Sequence, residues 1–347
     1  MNLPNPRILA LLFLVTATTN AQEEQRDKVI FISADGMRPD AVDVLGPEGA
    51  PAFHRLRKEG AYTSNARTDF TYTVTLPNHT CMVTGRGVVG PEGHGWISNT
   101  DPQLGQNLHR NRKGYAASFF DVAHDNGLRT ALYASKSKFS LYDISYDAKT
   151  GAPDQTGEDN GKDKIDVYVA NEDSSALVDQ LIASFASDPA DATMLHLRDC
   201  DSAGHAESWD LTPGSPYLAA LKKVDSLVGK LLEAVEASPN MKGKTTIILT
   251  ADHGGLTATK GHGEAKERDN FTIPFYVWGA GVSAGQDLYA LNGGNRQDPG
   301  TANPPYDAPK APIRNGDAGN LILTLLHLPA IPGSTINAAQ DLKVGKE

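Results

Sequence analysis

The 347-residue chain carries 32 lysines and arginines against 42 aspartates and glutamates, a formal charge of −10. That balance excludes a nonspecific binder of nucleic-acid polyanions, and no stable nucleic-acid partner is expected. The length suits one large α/β core with loop insertions, because single cores stop growing near about 250 to 300 residues. Cys81 and Cys200 are the only cysteines, so no disulfide framework holds the fold, and two buried free thiols are expected in preference to a bridge. No C-x-x-C spacing occurs, which removes both from the candidate zinc ligands.

In chain order, Arg7, the apolar run Ile8–Val15 and the small-residue sequence Thr19-Asn20-Ala21 have the form of a secretory signal over residues 1–21. This predicts a mature chain starting near Gln22, a single domain over residues 22–347, and a periplasmic or extracellular location. The apolar run is too short to span a bilayer, and no other stretch approaches the roughly 20 apolar residues a spanning helix needs. Next, Val29 to Ser33 reads as a buried strand that ends at Asp35-Gly36. The sequence Thr75-Leu76-Pro77-Asn78-His79 follows, then a strand over Thr130 to Ala134 with Lys136-Ser137-Lys138 behind it. Gly151 to Asp166 is polar and Gly-rich, and its carboxylates are expected to be solvated.

A strand over Thr193 to Leu197 runs into Asp199 and Asp201, and Asp201-Ser202-Ala203-Gly204-His205 has D-x-x-x-H spacing. Apolar residues three and four apart predict an amphipathic helix from Pro216 to Val235. A strand over Thr246 to Thr250 ends at Asp252-His253-Gly254-Gly255, and Gly261-His262-Gly263 precedes a strand over Ile273 to Trp278. Gly285 to Pro312 reads as a surface loop, and Asp317 to Leu326 as a helix. Alternating strands and helices predict a three-layer α/β/α sandwich with a mostly parallel central sheet. Loops are inserted near 140–170 and 285–312.

Asp35, Asp201 and Asp252 all follow strand ends, the edge of an open α/β sheet where ligands bind. Mixed carboxylate and imidazole donors suit zinc better than magnesium or calcium, with manganese and iron left open. Metal coordination is one of the few ways to make a threonine hydroxyl nucleophilic at neutral pH. The bland readings of the same residues are a β-branched strand position for Thr75, an ordinary turn at Pro77-Asn78 and a loop cap at Asn99. His79, His94 and His196 read as structural or supporting.

Taken together, the early Asp35, T-x-P-N-H at 75–79, D-x-x-x-H at 201–205, D-H-G at 252–254 and G-H-G at 261–263 resemble the alkaline phosphatase superfamily. Within it they are most similar to the nucleotide pyrophosphatase/phosphodiesterase branch, in order from Lys28 to about Gly281. The resemblance implies an alkaline-phosphatase-like fold and two divalent metal ions, zinc being favoured. One ion would be held by Asp35, Thr75, Asp252 and His253, the other by Asp201, His205 and His262. It further implies Thr75 as nucleophile, forming a phosphothreonine that water hydrolyses, and Asn99 as a donor to a non-bridging phosphoryl oxygen.

Sulfatases of this fold carry C/S-x-P-x-R, where this chain has Thr75 and Asn78-His79, which argues against sulfate esters. The expected substrate is a small phosphate ester, a nucleotide among the candidates, cleaved at a diester or pyrophosphate bond. Lys136 and Lys138 are candidate substrate-binding groups, because some threonine-dependent monoesterases of the superfamily place a Lys-x-Arg pair near here. A phosphate monoesterase using both lysines is the alternative, followed by a catalytically inactive, metal-dependent binding protein.

Overall fold

The computed structural model describes Met1 and residues 27–345. The export signal expected over residues 1–21 lies, apart from Met1, outside the described residues. Eight strands form one mixed sheet: β1 (Lys28–Ala34), β2 (Ala61–Arg67), β3 (Thr130–Ala134), β4 (Val167–Ala170), β5 (Ala192–Leu197), β6 (Thr245–Thr250), β7 (Thr272–Gly279) and β8 (Gln286–Asp287), in the order β4-β3-β5-β1-β6-β7-β2-β8. The run from β4 to β6 is parallel, and β7 lies antiparallel to both β6 and β2.

β1 is fully buried along its length, as a central parallel strand covered on both faces must be. Its register sets Ser33 beside His196 of β5 and Thr250 of β6, so the three strands finish level. Burial of Val29, Ile30, Phe31 and Ile32 stabilises this centre by roughly 1.5–3 kcal/mol per side chain. The expected strands all form within a residue or so of their expected ends. β2, β4 and β8 were not expected: β4 and β8 are short, and β2 (AYTSNAR) is half polar with a register shift between Thr63 and Ala66.

Helices Thr75–Thr84, Phe119–Asp125 and Asp317–Leu325 pack together over one face, and Pro39–Gly49, Pro51–Glu59, Ser174–Ser184, Asp199–Glu207 and Pro216–Ala237 over the other, completing the α/β/α layers. The long helix Pro216–Ala237 starts at proline, and the Ser215 hydroxyl accepts the Leu218 amide as its cap. Both cysteines are free and buried. The segment 151–166 departs from expectation: the Asp154 side chain is 1% exposed and pairs with the buried Lys164, which also holds Asp125 at 3.0 Å. Its carboxylates are therefore not all solvated. The stretch 285–312 contains β8 and a short helix, Leu288–Leu291, and buried Arg67 and Arg314 donate to its carbonyls at Gly300, Ala302 and Pro304. No helix among the described residues is long and apolar enough to cross a membrane.

Candidate metal centre and nucleophile

The parallel strands deliver their polar ends to one place. Asp35 follows β1, and Asp252 and His253 follow β6. Asp201 and His205 lie one turn apart on the helix that follows β5, and the loop before β7 returns His262. Two groups of potential ligands result, Asp35 with Asp252 and His253, and Asp201 with His205 and His262, the donor atoms of each lying within 4.8 Å of one another. The rings of His253 and His262 stack with centroids 3.4 Å apart, which sets the two groups side by side.

Hydrogen bonds fix which imidazole nitrogen is free. Nδ1 of His253 donates to the Gly254 carbonyl at 2.8 Å, that of His205 to Lys260 at 2.7 Å and that of His262 to Thr73 at 2.6 Å. Each ring is thereby left with an Nε2 lone pair, the tautomer a metal ligand needs. Those Nε2 atoms face carboxylate oxygens: His253 lies 3.4 Å from Asp35 Oδ1 and 3.3 Å from Asp252 Oδ2, and His205 and His262 lie 3.3 and 3.6 Å from Asp201 Oδ1. Asp35 Oδ1, Asp201 Oδ1, Asp252 Oδ2 and His253 Nε2 are all buried without a hydrogen-bond partner. Converging orphaned acceptors are costly unless a cation satisfies them, so the residues present fit divalent metal.

The electrostatics agree. Burial alone would raise the Asp35 carboxyl, and the Lys136 ammonium with the His196 and His253 imidazoles overrides it, holding the group well below its ordinary value. Burial and the Asp35 and Asp201 charges push Asp252 well above its own, the expected response of a third carboxylate crowded against two others. Burial lowers His253 to about 3, with His262 adding to the effect, so its ring stays neutral and available. His205, about half exposed, is instead raised by Asp201, whose Oδ1 lies 3.3 Å from Nε2 and favours a second proton on that nitrogen when no cation is bound.

Thr75 is the first residue of a helix, not a strand residue. Pro77 falls in the first turn, where a missing N–H costs no helical hydrogen bond. The segment entering the helix is fastened on several sides. Asn78 Oδ1 accepts the Asp69 amide, and its NH2 donates to the Tyr72 and Val74 carbonyls. Asp69 Oδ1 accepts the amides of Thr71 and Tyr72. Thr73 bonds reciprocally with His262, and His79 reaches from the Thr75 carbonyl (2.8 Å) to Ser33 Oγ (2.7 Å), with Asp252 Oδ2 3.6 Å away. Both ring nitrogens of His79 are occupied, which leaves it no lone pair for a metal. The buried, partly positive start of the helix favours an anion there.

Asn99 lies beside this start. Its carbonyl oxygen accepts the Leu76 amide at 3.1 Å and the Lys138 ammonium at 3.3 Å, which leaves the NH2 as its remaining polar group. Lys138 is thus engaged with Asn99. Lys136 is engaged more tightly, donating at 2.6 Å to Asp35 Oδ2 and at 2.6 Å to Asp201 Oδ2. Both lysines, expected at the substrate, rest on protein acceptors.

Two residues support the site, His196, read as structural from the sequence, and Trp209, which the sequence reading missed. His196 Nε2 bonds Asp35 Oδ2 at 2.8 Å, while its Nδ1 lies 3.0 Å from Ser135 Oγ. Trp209 is fully buried, donates to the Gly36 carbonyl and packs edge-on to His205 and His262. A Cβ on Gly204 or Gly255 would come within 2.3 or 2.1 Å of its indole. The glycines inside D-x-x-G-H and D-H-G-G, with a tryptophan four residues beyond His205, were the available signal.

The type I phosphodiesterase / nucleotide pyrophosphatase family model matches residues 29–275. Human GPI ethanolamine phosphate transferase 1 is 29% identical over 279 residues, covering 76% of this chain and 27% of the relative. Human ectonucleotide pyrophosphatase/phosphodiesterase family member 5 is 27% identical over 256 residues, covering 71% of this chain and 48% of the relative. The chain therefore spans about a quarter to a half of these relatives. An inactive threonine-to-alanine variant of murine ectonucleotide pyrophosphatase / phosphodiesterase 5, in complex with AMP, superposes with a TM-score of 0.60 at 18% identity, covering 91% of this chain and all of that one. A protein of the alkaline phosphatase superfamily from Vibrio parahaemolyticus does so with a TM-score of 0.58 at 13% identity, covering 91% of this chain and 70% of that one. The fold is alkaline-phosphatase-like.

Proposed function

This chain belongs to the type I phosphodiesterase / nucleotide pyrophosphatase family, and from that premise we propose that it hydrolyses phosphate diester or pyrophosphate bonds through Thr75. Asp35, Asp252 and His253, together with Thr75, would hold one divalent cation, and Asp201, His205 and His262 another, zinc suiting this donor set. Bound there, such ions supply activation of the threonine hydroxyl and neutralisation of phosphoryl charge. Thr75 Oγ attacks phosphorus and loses its proton to water as the bond to the leaving oxygen breaks, and that oxygen takes a proton from water. The Asn99 NH2 donates to a non-bridging oxygen. Water then attacks the phosphorus of the threonine ester, releases the product and restores the hydroxyl.

The observation that carries a diester over a monoester is the placement of the lysines. A monoester brings a second negative charge, and the nearest ammonium groups are already bonded to Asp35, Asp201 and Asn99. AMP in complex with the murine relative supports a nucleotide as one half of the substrate. Comparison of kcat/KM for bis-p-nitrophenyl phosphate and p-nitrophenyl phosphate tests this. The diester should be favoured by about tenfold or more, the scale of one misplaced charge interaction worth ~1.4 kcal/mol. A preference for the monoester would restore the phosphatase reading through Lys136 and Lys138.

A second reading rests on the likeness to the GPI ethanolamine phosphate transferase: the threonine ester passes to an alcohol instead of water. Product analysis in the presence of glycerol separates the two, since a transferase yields glycerol phosphate ester and a hydrolase the free acid. Export belongs to the same proposal, on the strength of Arg7, Ile8–Val15 and Thr19-Asn20-Ala21. A mature N-terminus near Gln22 checks it.

A further inference from the structure

Resting on the two-metal reading above, we propose that Lys136 is a positioning residue that holds Asp201 for the metal group it forms with His205 and His262. The Lys136 ammonium takes the Oδ2 oxygen of Asp35 and of Asp201, one carboxylate from each group, at 2.6 Å each. The Oδ1 oxygens of the same two carboxylates are left facing the imidazole nitrogens, buried and without partners. Each carboxylate is thus divided, one oxygen on the lysine and the other turned to the ligand side. A lysine serving as substrate ligand would turn its donors to the substrate, and here two of the three N–H groups of the ammonium are committed to charge-assisted hydrogen bonds with carboxylates. The ammonium is held in place by its surroundings, its side chain being only 11% exposed.

The two carboxylates do not depend on the lysine equally. Asp35 Oδ2 has a second donor, His196 Nε2 at 2.8 Å, and Asp35 is fully buried on the rigid end of β1. Asp201 Oδ2 receives its side-chain hydrogen bond from Lys136, and its partners His205 and His262 come from a helix and a loop, His205 with 49% of its side chain exposed. Loss of the ammonium should therefore free Asp201 to rotate and leave Asp35 pinned. Orienting partners behind ligands typically contribute on the order of 10- to 100-fold in metal affinity.

Zinc titration against a chromophoric chelator, with the wild type and Lys136→Met, tests this without substrate. The wild type should bind two zinc ions per chain. In Lys136→Met one site should keep its affinity within about threefold while the other weakens by on the order of 10- to 100-fold. Excess zinc should then restore kcat with KM little changed, and Lys136→Arg, whose fork also spans two carboxylates, should recover most of the lost affinity. Unchanged binding at both sites with a raised KM would overturn the proposal in favour of direct substrate contact, leaving the hydrolase reading intact. Equal weakening at both sites would also overturn it. A wild type that binds no zinc would instead sink the two-metal reading itself.

Discussion

The two candidate ligand groups are built from the same chemistry and placed differently. Asp35, Asp252 and His253 are fully buried, each at the end of a central strand. Asp201 and His262 are nearly as buried, yet His205 stands half in solvent, and this group hangs on a helix and a loop beside the sheet. A ligand at a strand end inherits the rigidity of the ladder, and one on a helix or loop must be held by additional contacts. Here those are Lys136 on Asp201, the Lys260 carbonyl on His205 and the Thr73 carbonyl on His262. The enclosed group should set chemistry and stability, and the open one should exchange its ion.

The largest effect is expected at the proposed nucleophile. Thr75→Ala should lower turnover by on the order of 10³-fold or more with zinc content unchanged; normal turnover would overturn the assignment of Thr75 as nucleophile. Next come the ligands themselves. Asp252→Asn should lower both thermal stability and turnover at saturating zinc. His205→Gln should leave the melting temperature nearly unchanged and lose at least about tenfold in zinc affinity, with activity recovered by added zinc. Equal behaviour of the two variants would break the comparison. Kinetically, zinc release to excess chelator should be biphasic, with one ion per chain lost first; a single phase would place both groups on the same footing.

The smallest effect concerns protons. In the metal-free protein Asp201 holds the His205 pKa above its ordinary value, so this pair stabilises the fold fully below the unfolded pKa of about 6.5. That contribution is lost as pH rises through the raised folded value, and solvent screening keeps it small because His205 is half exposed. Denaturant midpoints of chelator-treated protein at pH 6 and pH 9 should differ less in His205→Gln than in the wild type. Identical differences would mean the pair is inert.

The enclosed group was legible in the sequence because its ligands sit directly behind apolar runs, where a strand end fixes direction as well as position. The open group was legible through D-x-x-x-H and G-H-G spacing, and less so through its supports. Lys136 and Lys138 were found as a motif and expected to point at substrate, yet a sequence does not show which acceptors lie opposite a side chain 65 or 101 residues away. His196 alternates with apolar residues inside β5 and so looked structural; only the register with Ser33 brings it to the end of β1. β2 was missed because polar residues interrupt it, its pairing with β7 supplying what local propensity does not.

Acid-quenching the zinc-loaded enzyme during turnover of bis-p-nitrophenyl phosphate, followed by peptide mass mapping, tests the covalent role of Thr75 most directly. A p-nitrophenylphosphoryl adduct should appear on the peptide containing Thr75 and be absent from Thr75→Ala. Steady turnover with no adduct on that peptide, undiminished in Thr75→Ala, would contradict it.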